Sequence, residues 1–169
     1  FIMVDNTDSG IQKIREILET VCDPEVPVLT IADLGIVRDV LIHQPFTADE
    51  EIEIIITPTY TGCPAMDMIA MNIKMALLEH GYKKIKITSV LAPVWTTEWM
   101  TKTGKQKLKE YGIAPPTGFK NGIEQTQNIS CPLCNSSNVK LVSQFGSTAC
   151  KALYQCNDCK EPFDYFKCH

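Results

Sequence analysis

Four cysteines stand in two close pairs, Cys131-Pro-Leu-Cys134 and Cys156-Asn-Asp-Cys159, separated by residues 135–155. A CxxC turn lets both thiolates converge on one cation, and two such turns complete a tetrahedral sulfur shell. A closed shell of four protein ligands leaves no position for a substrate, so the pattern predicts a structural Zn²⁺. The metal would also stabilise a segment too poor in apolar residues to fold alone. Four thiolates suit iron as well, so an iron-bearing site is the rival reading. Cys150, Cys168 and His169 lie in the same stretch and are further candidate ligands. The plainer account makes Cys150 a small buried thiol and the last two a polar chain end. Zinc held by the four paired cysteines, with Cys168 and His169 outside the first shell, is the preferred assignment.

A second chemical candidate is Cys63, in Thr57-Pro-Thr-Tyr-Thr-Gly-Cys63-Pro64. It falls at the N-cap of a helix expected over residues 64–80, where free backbone N–H groups and the helix dipole favour a thiolate. Asp67, one turn on, opposes this if its carboxylate is close. Gly62 permits close backbone approach, and Thr59 and Thr61 add hydroxyls. Most free cysteines are simply small buried residues. The other compact polar cluster is Cys22-Asp23-Pro24-Glu25. Asp23 and Glu25 could bind a cation or orient Cys63, or they could only close a turn.

The elements that must position these residues can be read from periodicity. Ile11, Ile14, Ile17, Leu18 and Val21 recur at helical spacing, and Asp23-Pro24 stops that helix. Ile36–His43 and Glu51–Thr57 read as strands joined by a hairpin. Pro64 opens the next helix and Gly81 closes it. Its methionines, Met66, Met68, Met71 and Met75, read as core packing, as do Trp95 and Trp99. Lys84–Leu91 is a third strand, parallel to the second if both share a sheet. A last helix runs from about Thr97 to Tyr111, ended by Gly112 and Pro115-Pro116. The expected fold is α+β, a small mixed-sheet α-β-β-α-β-α domain over residues 1–112. Residues 113–129, rich in Pro, Gly, Asn and Gln, read as a linker anchored by Phe119 and Ile123. Residues 130–169 form a β-rich, zinc-ribbon-like module with a hairpin, Val139–Phe145 and Ala152–Gln155, and a third strand, 163–169. On that strand Phe163 and Tyr165 share one face, and Phe166 and Cys168 the other.

Composition narrows the function. The 169 residues carry a formal net charge of -4, which argues against a general affinity for nucleic acid or anionic membranes. No apolar run approaches a bilayer span. Phe1–Val4 is apolar, but Asp5 and Asp8 follow without a basic region, unlike a secretion signal. Paired cysteines without such a signal point to a reducing compartment, the cytoplasm. No GxGxxG and no ExxH pair of the di-iron kind is present, and no histidine is an evident base for Cys63.

Asp23-Pro-Glu25-Val-Pro, Asp33-Leu-Gly-Ile-Val37 and Thr59-Tyr-Thr-Gly-Cys63-Pro64 resemble the signatures of the SufT-like family, domain of unknown function 59. That resemblance implies iron–sulfur cluster assembly or delivery, with Cys63 as the cluster or reactive site and Asp23 and Glu25 beside it. Longer strings resemble the D-subunit family of the bacterial phenylacetate-CoA oxygenase (epoxidase) system: Trp95-Thr-Thr-Glu-Trp99, Tyr111-Gly-Ile-Ala-Pro-Pro116, Phe145-Gly-Ser-Thr-Ala-Cys150-Lys-Ala-Leu-Tyr154 and Glu161-Pro-Phe-Asp-Tyr-Phe-Lys-Cys-His169. Asn135 departs from the Gly usual after the second ribbon cysteine, but tolerates the left-handed backbone needed there. The implied role is a non-catalytic accessory protein that helps insert or repair a cluster or other metal centre. Its protein partner would be the oxygenase reductase, its cargo a transient iron–sulfur cluster, and it could act as a homodimer. The alternative is a structural or electron-transfer component of the oxygenase complex, with iron at the four-cysteine site.

Overall fold

The computed structural model describes residues 6–120, 123–124 and 128–167. Cys168 and His169, named above as candidate ligands, lie outside the described residues.

The front of the chain runs α1 (Asn6–Leu18), α2 (Ile31–Leu34), β1 (Val37–His43), β2 (Glu51–Ile56), α3 (Ala65–Glu79), β3 (Ile85–Ser89) and α4 (Lys102–Glu110). β1 and β2 form the expected antiparallel hairpin, and β3 lies parallel to β2, giving the order β1-β2-β3. Ile52, Ile54 and Ile56 alternate toward the core, each at most 1% exposed. Ile14, Ile17 and Leu18 of α1 and Ala65, Ile69, Ile73 and Leu77 of α3 are buried in the same core. Where a helix was expected from Thr97, a 3₁₀ turn (Thr97–Trp99) precedes α4. Thr101 begins α4 by accepting from the Gly104 N–H at 2.9 Å.

The methionines depart from the expectation. Met66 packs partly against the core, but Met68, Met71 and Met75 are 49%, 55% and 53% exposed. The buried stripe of α3 is the four-residue series Ala65-Ile69-Ile73-Leu77, and one helix lying on one sheet buries only one such stripe. Trp95 is in the core as expected. Trp99 is only half-buried, with the Arg38 guanidinium 3.8 Å above its ring.

α2 explains the Asp33-Leu-Gly string. Thr30 caps this turn reciprocally with Asp33. The Asp33 carboxylate also accepts from Thr101 Oγ1 at 3.0 Å and pairs with Lys107 Nζ at 2.6 Å. The Leu34 carbonyl accepts from Trp95 Nε1 at 2.8 Å. Gly35 takes φ +68° with the Trp99 backbone packed against it. The motif is therefore the socket that receives residues 95–107.

Asp33 also dictates a pH response. Burial alone would raise its carboxyl, but hydrogen bonds from Lys107, the Thr30 N–H and Thr101, with the Lys107 charge, hold it below its ordinary value. A depressed folded-state pKa gives stability that is complete above the unfolded value and lost as pH falls through the folded one. Asp33→Asn should therefore melt lower than wild type at neutral pH. It should also lose less on acidification from about pH 5 to about pH 2. Parallel melting curves across that range would contradict the assignment.

The second sheet has the order β4-β9-β8-β7, from β4 (Ile113–Ala114), β7 (Val139–Ser143), β8 (Lys151–Cys156) and β9 (Pro162–Phe166). β7, β8 and β9 are antiparallel neighbours, and β4 joins β9 in parallel. The stretch read as a linker thus begins inside the ribbon sheet. Further along, β5 (Phe119–Lys120) and β6 (Ile123–Glu124) pair antiparallel. The side chains of Phe119 and Ile123, expected to anchor it, lie outside the described residues. β9 has two employments. Phe163 and Tyr165 face the ribbon core with Tyr154, and Phe166 faces the front core, its ring edge-on to Trp95 at 6.3 Å. β4 does the same with Ile113 in one core and Ala114 in the other. Alternation along a strand lets one ribbon sheet seal two cores. Among the described residues no helix is long and apolar enough to cross a membrane.

Candidate functional site

Each CxxC pair sits in a turn with the same construction. The Cys131 N–H donates to the Ser136 carbonyl at 2.8 Å and the Cys156 N–H to the Glu161 carbonyl at 3.0 Å. The residue after each second cysteine is left-handed: Asn135 at φ +60°, as anticipated, and Lys160 at φ +69°. Asp158 ties the two turns together by accepting from Ser136 Oγ and from Asn138 Nδ2 at 2.9 Å. The four sulfurs lie within 4.8 Å of one another, with Cys131 Sγ to Cys159 Sγ at 3.7 Å and Cys134 Sγ to Cys156 Sγ at 3.6 Å. Tetrahedral metal–sulfur bonds of about 2.3 Å put sulfurs about 3.8 Å apart. The donor set therefore fits a thiophilic metal, and this is a metal-binding module.

Cys156 and Cys159 are pushed in opposite directions. The N–H groups of Cys159 and Asp158 help hold Cys156 down to about 7. For Cys159 the Glu161 N–H favours the thiolate, but burial and the neighbouring sulfurs outweigh it and push the thiol up to about 12.

Cys63 lies in the loop between β2 and α3. Its N–H closes a turn onto the Tyr60 carbonyl at 3.3 Å, and Gly62 takes φ +81° to make that turn. The sulfur receives hydrogen bonds from the Ala65 N–H and from the Tyr60 side chain. Helix-end donors were expected to lower this thiol. Burial instead raises it, and the charges of Glu25 and Asp23 add to the rise, outweighing both hydrogen bonds. That removes the main support for a thiolate nucleophile. Burial also pushes the Tyr60 phenol well up, helped by Cys63, Glu25 and Cys150.

The two acids before it divide. Asp23 is 8% exposed, and its Oδ1 accepts from the N–H groups of Glu25 at 2.7 Å and Val26 at 2.8 Å, which makes it the lock of the 23–29 turn. Glu25 Oε2 lies 3.8 Å from Cys150 Sγ, and the Glu25 charge adds to the rise of Tyr60 and Cys63. Thr59 is half-buried, while Thr61 and Gly62 are exposed at the loop tip. Cys22 is exposed.

Cys150 does not join the metal group. It is 4% exposed within the front core, and its Sγ lies 3.8 Å from Glu25 Oε2. Sequence alone offered no signal for this, because the pair is 125 residues apart. Tyr60 was likewise missed, although it stands inside the Cys63 string.

Known proteins share this architecture. A protein of Escherichia coli K12, named as the putative D-subunit of 1,2-phenylacetyl-CoA epoxidase, is 45% identical over 158 residues, covering 94% of this chain and 93% of that protein. The chain belongs to the phenylacetyl-CoA epoxidase D-subunit family. A PaaD zinc beta ribbon domain model matches residues 115–167, and an iron–sulfur cluster assembly protein model matches residues 11–89. An "Fe-S protein maturation auxiliary factor" of Porphyromonas gingivalis is 32% identical over 98 residues, covering 57% of this chain and 89% of that one. The front domain also resembles the crystal structure of a domain of unknown function, DUF59, from Bacillus anthracis. The TM-score is 0.54 at 29% identity, covering 60% of this chain and 92% of that one. The D-subunit family thus joins a DUF59-like α+β domain to a metal ribbon.

Proposed function

We propose that this protein is a non-catalytic accessory factor that receives and passes on an iron–sulfur cluster, or the iron for one, in the phenylacetyl-CoA oxygenase system. Cys63 is the transfer thiol. The client is the oxygenase reductase, and the setting is the reducing cytoplasm. The observation that carries the reading is the built surrounding of Cys63. This half-buried sulfur accepts from the Tyr60 side chain and the Ala65 N–H and feels the Glu25 charge, inside the stretch that matches the cluster-assembly model. The epoxidase relative, matched over 94% of the chain, and the maturation-factor relative, matched over 57% of it, support the same reading.

In this reading the ribbon's four cysteines hold a structural Zn²⁺, which orders the module that seals the front core. Asp23 keeps Glu25 in place. Cys63 supplies a soft donor that binds iron and lets it go, because most of the coordination sphere stays outside this chain. Anaerobic reconstitution of the full chain with ferrous iron and sulfide should give a visible cluster absorption beyond the ribbon's metal, lost in Cys63→Ser. An undiminished cluster in that variant would refute the assignment. Elemental analysis of the protein as purified tests the rival electron-transfer role: stoichiometric iron at the four cysteines would favour it, and zinc would count against it.

A further inference from the structure

The outward face of α3 is apolar where a helix facing solvent is ordinarily polar. Met68, Met71, Met75 and Leu78 are 49%, 55%, 53% and 54% exposed, opposite the buried series Ala65-Ile69-Ile73-Leu77. Their spacing of three, four and three residues is that of the a and d positions of a heptad repeat. Single exposed apolar side chains need no account, but a row along one helix marks an interaction surface. Methionine is the adaptable, unbranched side chain common at such surfaces. The flanks of the row are polar. In the same heptad frame Asp67 and Lys74 take the g positions, and Asn72 and Glu79 the e positions. Asp67, Lys74 and Glu79 are exposed, and among the described residues none of the three forms an ion pair. Lys74 and Glu79 lie on opposite flanks of the row, so within one chain they do not meet.

We propose that α3 docks against α3 of a second copy of this chain, parallel and in register, as a short two-stranded coiled-coil seam. Each residue of the row then meets its own copy across a two-fold axis that runs along the helices. In such a pair a g residue faces the e residue five positions further along the other helix. Lys74 therefore meets the partner's Glu79, Asp67 meets the partner's Asn72, and symmetry makes each contact twice. The antiparallel alternative, with the whole row matched, sets Lys74 against the partner's Lys74 beside the axis, which like charge disfavours. Two heptads are too short to hold two free peptides together. Here each helix is already built on its own domain, so association does not also have to order the chain. The contact is small beside that of a permanent dimer, which makes the dimer weak, with a dissociation constant in the micromolar range. Parallel pairing also places both helix N-termini, and with them the two Cys63 loops, at one end of the dimer. The docking does not rest on any role of Cys63.

Sedimentation velocity on the zinc-loaded full chain, from low micromolar to submillimolar protein, should show a monomer giving way to a dimer. Met71→Lys should leave the melting temperature unchanged, because the side chain is exposed, and weaken the dimer about ten-fold or more. Lys74→Glu should weaken it as well, by setting like charges together on both sides of the axis. Combining Lys74→Glu with Glu79→Lys should restore the wild-type dissociation constant, which a general effect of charge would not do. The direction of pairing is read from Leu78→Cys treated with a short bis-maleimide. Peptide mapping should find position 78 joined to its own copy, a link that only two chains can make. In an antiparallel pair position 78 lies opposite the partner's Met68, so a dimer without that link overturns the parallel register. A monomer at every concentration, or a dimer untouched by Met71→Lys, overturns the docking itself and leaves the face to a different partner.

Discussion

Cys156→Ser is expected to abolish stoichiometric metal at the ribbon and to unfold residues 128–167. Structural zinc in a four-ligand site contributes roughly 10–16 kcal/mol of apparent binding free energy. A whole small domain retains only about 5–15 kcal/mol. The ribbon's own core is Ala114, Ile129, Ala152, Tyr154, Phe163 and Tyr165 with Cys131 and Cys156, too little to replace that contribution. The loss should not stop at the ribbon. Phe166, Cys150 and Ile113 belong to the front core, so releasing the module uncovers Trp95 and the socket beneath it. Removing Phe166 alone from that core forfeits about 1.5–3 kcal/mol of apolar burial. Elemental analysis should therefore show metal lost, and Trp95 fluorescence should shift red together with a large fall in melting temperature. Metal retained by the variant, or a front domain that melts as in the wild type, would disprove the coupling.

Gly35→Ala is the second large effect. The φ of +68° alone costs a non-glycine residue roughly 1–2 kcal/mol. A Cβ here would also be driven into the Trp99 carbonyl oxygen, with the Trp99 carbonyl carbon at 2.9 Å and its Cβ at 2.9 Å. Those are backbone atoms and a half-buried indole stem, so they cannot swing aside as a flexible side chain would. Overpacking of that kind adds about 1–3 kcal/mol. A combined loss of about 2–5 kcal/mol reaches, at its upper end, the total stability of a marginal small domain. Urea denaturation should show the midpoint falling sharply, as the socket parts and the hydrogen bond from Trp95 to the Leu34 carbonyl breaks. A stability within about 0.5 kcal/mol of wild type, the usual range for surface changes, would show that the socket yields.

These two variants mark where local sequence stops being informative. The Cys156 result was legible beforehand, because CxxC turns are local and their spacing defines the ligand set whatever else the chain does. The Gly35 result was not. Asp33-Leu-Gly reads only as a family signature, whereas its atoms serve packing against Trp95, Trp99, Thr101 and Lys107. The same limit applies to α3, where a helix rich in methionine looks buried on every face. Only the sheet beneath it shows that Met68, Met71 and Met75 stand in solvent.

By itself, then, the sequence determined the metal group, the order of elements and the position of Cys63 at the mouth of a helix, all consequences of spacing and period within a few residues. The tertiary structure decided the rest. It turned Cys150 away from the four-cysteine group and toward Glu25, made β9 the shared wall of two cores, and let burial overrule helix-end donors at the Cys63 thiol. Each of these depends on contacts between distant segments and on the desolvation they impose, and neither is written in local sequence.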